Sequence, residues 1–245
     1  MPFTSVSVLV CATDEEDALK RTVDDIMSLC KNTVPEKIVI VRSKEATAGC
    51  IRTAEACRAA YPHTVELLVQ HRPGIGGSVR DAVDVITSSH IIGLSGDYPI
   101  SLDNLPVMIE SAKKNPDVIF KNSRHMQKHS FYGYGKLKMV FNVCGQAFLR
   151  ILFHSRLTDL TSPMQIAPAE LYRRINWKES GFPFFLEMVL IPLRLGVEIQ
   201  EMPAQSLPRQ EGQSKNSFLH TFSYLFTAVR IRFTPKDKLI KQEAG

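Results

Sequence analysis

The chain has 245 residues, of which 44% are hydrophobic and 22% are charged, with a formal net charge of +5. This length allows one large domain or two small ones, and the composition is that of a globular protein rather than a disordered or disulfide-stabilised one. The basic residues form neither a dense tract nor an RNA-binding aromatic motif, so nucleic acid is not an expected partner.

The five cysteines are odd in number, and no pair has the C-x2-C spacing of a zinc or redox site. Reduced thiols in a cytoplasmic setting are therefore expected. The opening "MPFTSVSVLV" lacks the basic flank and long apolar core of a signal peptide, and no apolar stretch reaches transmembrane length. These features predict a cytoplasmic protein that is neither secreted nor membrane-spanning.

In the first half of the chain, short apolar runs alternate with helix-like segments. The apolar runs lie at 6–12, 36–43, 65–71 and 90–97, and the helix-like segments at 15–30, 47–61, 77–89 and 102–115. Such runs have no solvated face, so the alternation predicts a mostly parallel sheet with helices on both faces. Ligands bind at the carboxyl ends of the strands in such folds. The segments expected to meet there are 11–16, 41–47, 71–77 and 95–99.

The second half continues with a strand at 117–126 and, after a basic and aromatic stretch, a helix at 139–153. A helix at 182–196, a strand at 197–206 and a last helix at 218–233 follow. No repeat or linker separates the halves, so one domain is expected over residues 1–217. Residues 218–245 are predicted to form an amphipathic helix with a charged tail.

Several of these stretches together resemble a known family. "VSVLVCATDEEDAL" is similar to the opening strand and acidic turn of the inverting family-two glycosyltransferases, and "RPGIGGSVRDAVDVITSSHIIGLSGDYP" resembles their approach to a metal-binding D-x-D motif. "TDLTSPMQ" and "RQEGQSKNSF" resemble the polyprenyl-phosphate sugar synthases of the dolichyl-phosphate mannose synthase type. The resemblance implies the GT-A fold, a nucleotide-sugar donor and a lipid-phosphate acceptor.

Two parts of the site depart from the family pattern. The family carries two aspartates after its second strand, whereas this chain has Val41, Arg42 and Ser43. Its D-x-D motif is represented here by Ser95-Gly96-Asp97. Asp97 thus matches the second acid of the pair, while Ser95 replaces the first.

The resemblance makes Asp97 a catalytic residue and the ligand of Mg²⁺ or Mn²⁺, a cation that offsets charge on the leaving diphosphate. One carboxylate can hold such an ion with the help of water and phosphate oxygens, but more weakly than two. The structural alternative is that Asp97 caps the following helix, although Ser101 lies nearer to the cap position.

The resemblance also assigns nucleotide-sugar contacts to the β-strand ends. Asp14 and Glu15 match donor-binding positions, although acids at a helix start are also favoured by its dipole. Gly74 and Gly76 allow the backbone to approach a ligand and to present its N–H groups. Ser95 completes this donor-binding set.

Basic residues are expected to surround the phosphates. Arg124 in "NSRHM" matches a family arginine beside the reacting phosphates. Arg209, Ser214 and Lys215 match a loop that closes over the diphosphate, a role suited to cationic side chains. Asp159 is either a substrate contact or a turn residue. Glu187, in an apolar helix, must be paired or neutral, and a structural role is favoured.

The predicted function is inverting transfer of a sugar from a nucleotide-sugar to a lipid phosphate. The alternative is a glycosyltransferase-fold protein that has lost catalysis and acts as a binding or regulatory partner, as the replaced acids would suggest. In the last helix, an apolar stripe recurs at helical spacing and is followed by Arg230, Arg232, Lys236 and Lys238. The stripe consists of Phe218, Phe222, Leu225, Phe226 and Val229. This pattern predicts peripheral contact with the cytoplasmic membrane face, although most such stripes pack on a protein core.

Overall fold

The structure is a computed structural model that describes residues 2–96, 100–127, 130, 136–207 and 220–242. Its strands are β1 (Val6–Ala12), β2 (Lys37–Arg42), β3 (Val65–Val69), β4 (His90–Ser95), β5 (Ile119–Ser123), β6 (Gln165–Pro168) and β7 (Ile199–Pro203). Its helices are α1 (Asp17–Leu29), α2 (Ala48–Ala60), α3 (Gly74–Val85), α4 (Leu105–Lys114), α5 (Lys136–Phe153), α6 (Ala169–Arg174), α7 (Phe184–Leu195) and α8 (His220–Phe233). A 3-10 helix follows at Lys236–Leu239.

The strands form one seven-stranded sheet in the order β3-β2-β1-β4-β6-β5-β7. Strands β1 to β4 are parallel to one another, and β5 is parallel to β7. Strand β6 runs antiparallel to both β4 and β5. The carboxyl ends of the six other strands therefore lie at one edge of the sheet, together with the amino end of β6.

Helices cover both faces of this sheet, as the sequence predicts. In β1, Val8 and Val10 face a core that includes helices α1, α2 and α4. Leu9 and Cys11 face the opposite core, which includes α3, α6, α7 and α8. Successive side chains of a strand point to opposite faces, so a fully apolar strand is required where both faces are covered.

The carboxyl-terminal helix α8 packs on α7 and on the segment before it through partly buried ionic contacts. Arg230 Nη2 donates to Glu187 Oε1 at 2.6 Å and to Glu179 Oε1 at 3.0 Å. Arg194 of α7 donates to backbone carbonyls at the end of α8, including that of Ile231 at 2.8 Å. Ala228 and Ile231 are fully buried. Helix α8 is thus part of the packed structure, and the predicted domain division at residue 217 remains a prediction.

Candidate active site

The carboxyl edge of the sheet brings together several of the predicted site segments. The turn after β1 holds Asp14 and Glu15, and Ser95 ends the neighbouring strand β4. Ser95 pairs with Cys11 across the two strands. Arg124 follows β5 at the same edge, and the segment before β6 carries Asp159. The topology therefore places residues from four parts of the chain along one edge.

The turn after β1 is shaped by its own acid. The Glu15 carboxylate accepts the backbone N–H of Thr13 at 2.6 Å and that of Asp14 at 3.1 Å. Glu15 is half-buried, whereas Asp14 is exposed. Glu15 thus stabilises the turn, and Asp14 is the acid of this pair that is open to solvent.

Ser95 and Gly96 lie directly beside this turn. The Gly96 N–H donates to the carbonyl oxygen of Cys11 at 2.8 Å. A Cβ atom on Gly96 would lie 3.7 Å from Cβ of Glu15. The chain therefore passes from β4 close to the acidic turn immediately before Asp97, which lies outside the described residues.

The glycines after β3 have a packing role. Gly74 has φ +72°, and a Cβ atom there would lie 2.3 Å from the carbonyl oxygen of Ser180. A Cβ on Gly76 would lie 2.6 Å from the carbonyl oxygen of Glu179. The Gly76 N–H donates to Ser180 O at 2.9 Å. A protein carbonyl therefore accepts this N–H in the described conformation, and the predicted ligand contact of Gly76 stays a prediction.

Arg124 is held by a bidentate ion pair with Asp159. Its Nε donates to Oδ2 at 2.7 Å, and its Nη2 donates to Oδ1 at 3.0 Å and to Thr161 Oγ1 at 3.0 Å. Asp159 is fully buried, and the Arg124 side chain is 10% exposed. Asp159 thus acts within the protein as the partner of Arg124, an arrangement that fixes the plane of the guanidinium.

Charged groups around Asp159 control its protonation. Burial alone would raise the pKa of this carboxyl, but the charge and hydrogen bonds of Arg124, with the charge of Lys121, hold the pKa well below its ordinary value. Burial lowers the pKa of Lys121, although the negative charges of Asp159 and Glu201 act to raise it. Asp159 is therefore ionised at neutral pH and is unsuited to act as a general base.

Sequence reasoning missed Lys121 and Glu201, which support this pair from within the sheet. Lys121 of β5 is fully buried and donates to the carbonyl oxygen of Asp159. Glu201 of β7 accepts the backbone N–H of Thr158 at 2.6 Å and that of Asp159 at 2.8 Å. The available signal was a charged residue inside each of two strand-like stretches, "IFKNS" and "IQEMP".

Cys11 lies close to the site, near the end of β1, but does not act as a nucleophile. Burial and, to a smaller extent, the negative charge of Glu15 raise the pKa of its thiol to about 12, while a hydrogen bond with Ser78 partly opposes this rise. The thiolate is the reactive form of cysteine, so a buried thiol with a raised pKa is unreactive near neutral pH. The structural role favoured for Glu187 agrees with its contacts, since this buried carboxylate accepts Arg230 and the N–H groups of Lys178 and Glu179.

The described residues do not form a metal site by themselves. Among them, no group of three histidine, cysteine, aspartate or glutamate side chains is placed to hold an ion. Asp97, the predicted metal ligand, lies outside the described part of the chain, as do Arg209, Ser214 and Lys215. Their roles stay predictions, as do the donor contacts of Asp14, Glu15, Gly74 and Ser95.

The mostly parallel sheet, with helices on both faces and an acidic turn at its carboxyl edge, defines a protein of the GT-A glycosyltransferase fold. The model of the family described as "Glycosyl transferase family 2" matches residues 7–178, which is more than half of the chain. The chain therefore belongs to glycosyl transferase family 2.

Individual relatives agree with this assignment. The chain is 24% identical over 198 residues to an undecaprenyl-phosphate mannosyltransferase of Micrococcus luteus, covering 76% of this chain and 79% of the relative. Glucosyl-3-phosphoglycerate synthase of Mycobacterium tuberculosis, solved with Mn²⁺, uridine diphosphate and phosphoglyceric acid, superposes with a TM-score of 0.70. That match has 14% identity and covers 94% of this chain and 79% of the other. The same enzyme with Mg²⁺ and uridine diphosphate has a TM-score of 0.70 at 15% identity, covering 94% of this chain and 80% of the other.

Proposed function

We propose that this protein transfers a sugar, with inversion, from a nucleotide-sugar donor to a polyprenyl phosphate at the cytoplasmic membrane face. The named mannosyltransferase relative supports a lipid-phosphate acceptor, and the uridine diphosphate of the structural neighbours supports a nucleotide-sugar donor. The structural observation that carries the lipid part is an apolar surface on helices α5 and α8.

This surface, which we call the α5–α8 apolar face, exposes side chains that globular proteins usually bury. Ile151 of α5 is 75% exposed, and Phe226 and Phe233 of α8 are 71% and 74% exposed. Further exposed members are Val140, Phe141, Val143, Phe148, Leu225 and Val229. Large exposed apolar patches mark sites of contact with proteins, membranes or apolar ligands. A polyprenyl chain and the surrounding lipid are apolar partners of the required kind.

The described members of the predicted stripe, Leu225, Phe226 and Val229, face outward. Phe218 and the side chain of Phe222 lie outside the described part. Arg230 and Arg232 both contact the protein in the described conformation, and their attraction to lipid head groups stays a prediction. Arg230 pairs with the acids on and before α7, and Arg232 Nε donates to the carbonyl of Leu152 at 2.8 Å.

Two lysines remain in place for the electrostatic part of membrane contact. Lys236 and Lys238 are exposed in the short 3-10 helix that follows α8. A basic residue near an anionic bilayer contributes about 1 kcal/mol of attraction. No described helix has both the length and the apolarity needed to cross a membrane. Contact through the α5–α8 apolar face would therefore be peripheral.

The chemistry follows from the two reactants. A phosphate oxygen of the acceptor is already ionised near neutral pH, so it can attack the anomeric carbon without a strong general base. The attack forms the new sugar–phosphate bond on the face opposite the departing nucleoside diphosphate, which inverts the anomeric centre. The protein must then position both anions and stabilise the charge on the leaving group.

Cationic side chains suit this task. Arg124 would bind a phosphate group, in an orientation that Asp159 fixes. Arg209 and Lys215 would be the cations of the loop over the diphosphate. A divalent cation at Asp97 and the Ser95 hydroxyl would supply further neutralisation of the diphosphate when bound. Since Ser95 replaces one of the two acids of the D-x-D motif, its binding is expected to be weak and to depend on Asp97.

Activity is tested with a panel of radiolabelled nucleotide-sugars and a short polyprenyl phosphate in detergent, with Mn²⁺ or with EDTA. Formation of a lipid-linked sugar that Asp97→Asn abolishes would support the proposal. The matched control is Asp103→Asn, which changes an exposed acid in the next turn and should leave turnover unchanged. Nucleotide-dependent thermal stabilisation without transfer to any acceptor would favour the non-catalytic binding protein instead.

Membrane contact is tested by sedimentation with vesicles that contain anionic lipid. The double variant Ile151→Ser and Phe226→Ser should remain in the supernatant, while the unmodified chain sediments. The control pair Val85→Ser and Val107→Ser changes exposed apolar residues on α3 and α4. Equal sedimentation of both pairs would refute the α5–α8 apolar face as the contact surface.

A further inference from the structure

A second concave site lies on the face of the sheet that carries α3, α6 and α7. A cavity of about 170 Å³ opens between helix α3, helix α6 and the segment after the 3-10 helix. Arg72 and Arg80 line it on one side, Arg173 on another, and Lys241 on a third. Four cationic side chains from three separate parts of the chain thus surround one small space.

The three arginines are held in place by contacts with the protein. Arg72 Nη1 donates to Asp81 at 2.8 Å and to Asp84 at 2.6 Å. Arg80 Nε donates to the carbonyl of Gly76 at 3.0 Å. Arg173 Nη2 donates to the carbonyl of Ile86 at 2.8 Å. Side chains that are already oriented lose less freedom when they bind a ligand, which favours affinity.

Basic residues outnumber acidic ones around the cavity. Four basic residues and one carboxylate, Asp84, line it. Two acids outside the lining pair with two of these arginines, Asp81 with Arg72 at 2.8 Å and Glu170 with Arg173 at 3.5 Å. Like charges along the wall of a cleft focus the electric field and raise the local concentration of ions of opposite sign. Guanidinium groups also match the geometry of phosphate oxygens. These features favour an anionic ligand, such as a phosphate group, over a neutral one.

Apart from Asn176, the rest of the lining is apolar and aromatic. Val79 and Val83 of α3 contribute to it, together with Tyr172 and Trp177. Trp177 is 6% exposed and packs against Tyr172 with ring centroids 5.1 Å apart. Ligand sites commonly combine an apolar wall with a few oriented polar groups. The ligand is therefore expected to join a phosphate to a small organic body.

We propose that this cavity binds a small phosphate monoester, such as a sugar phosphate or a nucleoside monophosphate. Asp14, Glu15 and Ser95 do not line it, and it follows α3 from the carboxyl edge towards Val83. The inference does not depend on the sugar transfer proposed above, since it rests on a different set of side chains.

Arg72 would connect this site to the turn that carries Gly74 and Gly76. Asp81 Oδ2 accepts the backbone N–H groups of His71 and Arg72, while its Oδ1 accepts the Arg72 guanidinium. A bound phosphate would replace Asp84 as a partner of the Arg72 guanidinium. It would thereby contact a side chain that helps to hold the turn with Gly74 and Gly76. Binding is therefore expected to stabilise the native protein, because the ligand prefers the folded site.

Trp177 provides a direct measurement because it is the only tryptophan of the chain. The unmodified full-length chain is titrated with inorganic phosphate, a hexose monophosphate and a nucleoside monophosphate while tryptophan fluorescence is recorded. Saturable changes with at least one monoester, at lower concentration than with inorganic phosphate, are expected. Equal affinity for inorganic phosphate and both monoesters would overturn the class of ligand, and no change at millimolar concentration would overturn the site.

Two variants with opposite expected effects keep the test independent of folding defects. Arg173→Gln should weaken binding about five-fold, the factor that corresponds to ~1 kcal/mol for one charge pair in a solvated site. Asp84→Asn removes the lining carboxylate and should strengthen binding by a similar factor. Arg58→Gln changes an exposed arginine of α2 outside the cavity and should leave binding unchanged. Equal affinity in all three variants would overturn the proposal.

Discussion

Replacing Asp159 by asparagine should strongly destabilise the protein. The Asp159 carboxylate accepts hydrogen bonds from the Arg124 backbone N–H, Nε and Nη2, and from the N–H and hydroxyl of Thr161. Asparagine has the same shape but no charge, and its amide NH₂ would face groups that are themselves donors. Arg124 and Lys121 would then remain buried without their anion.

The magnitude follows from this burial. Removing one partner of a buried ion pair costs about 3–5 kcal/mol, because the remaining charge is left uncompensated. An exposed pair of the same kind would contribute about 1 kcal/mol or less. Since Asp159 is fully buried and Arg124 is 10% exposed, the larger range applies.

The assay is urea denaturation followed by circular dichroism at several pH values. The pKa of Asp159 is lowered in the folded state, so its stabilisation is complete above the ordinary aspartate pKa of about 4. That stabilisation is lost as the pH falls further below this value. The difference between the unmodified chain and Asp159→Asn should therefore be full at neutral pH and shrink in acid.

Asp237→Asn serves as the control, since this acid is exposed in the terminal 3-10 helix. Its free energy of unfolding should change by no more than about 0.5 kcal/mol. A loss below about 1 kcal/mol for Asp159→Asn at neutral pH would refute the reasoning. A difference from the unmodified chain that persists unchanged in acid would show that the charge of Asp159 is not responsible.

Gly76→Ala should lower the free energy of unfolding by about 1–3 kcal/mol, because its Cβ would lie 2.6 Å from a backbone oxygen. A Cβ at Gly145 would have no atom within 4 Å, so Gly145→Ala should instead stabilise α5 by about 0.5–1 kcal/mol. A higher melting temperature for Gly76→Ala than for Gly145→Ala would contradict both predictions. Native protein should incorporate one maleimide, at the exposed Cys144, because Cys11 and the other cysteines are buried; mass spectrometry showing label on Cys11 would refute this. Thr47→Ala removes the side chain that caps α2 and should cost about 1 kcal/mol, whereas an unchanged urea midpoint would show that the cap is dispensable.

The sequence by itself determined the parallel half of the fold. Residues 6–12 were predicted as a strand and form β1 without a shift of either end. A strand covered on both faces must be continuously apolar, and the helices between such strands have apolar residues every three to four positions. In this half of the chain, the sequence pattern of each segment therefore already indicates its place in the fold. Strand β6 was missed because it has only four residues, ends at Pro168 and is defined by its pairing with β4 and β5.

Only the tertiary structure decided how individual side chains are used. The periodicity of α8 revealed its apolar stripe, but packing on α7 determined that Phe226 faces outward while Arg230 turns inward to Glu187. The glycine after β3 was recognised as significant, yet the loop that packs against it determined that the Gly76 N–H meets Ser180. A sequence pattern fixes the local conformation of a segment. The partner of each polar group depends on segments distant in the chain, and these become neighbours only when the protein folds.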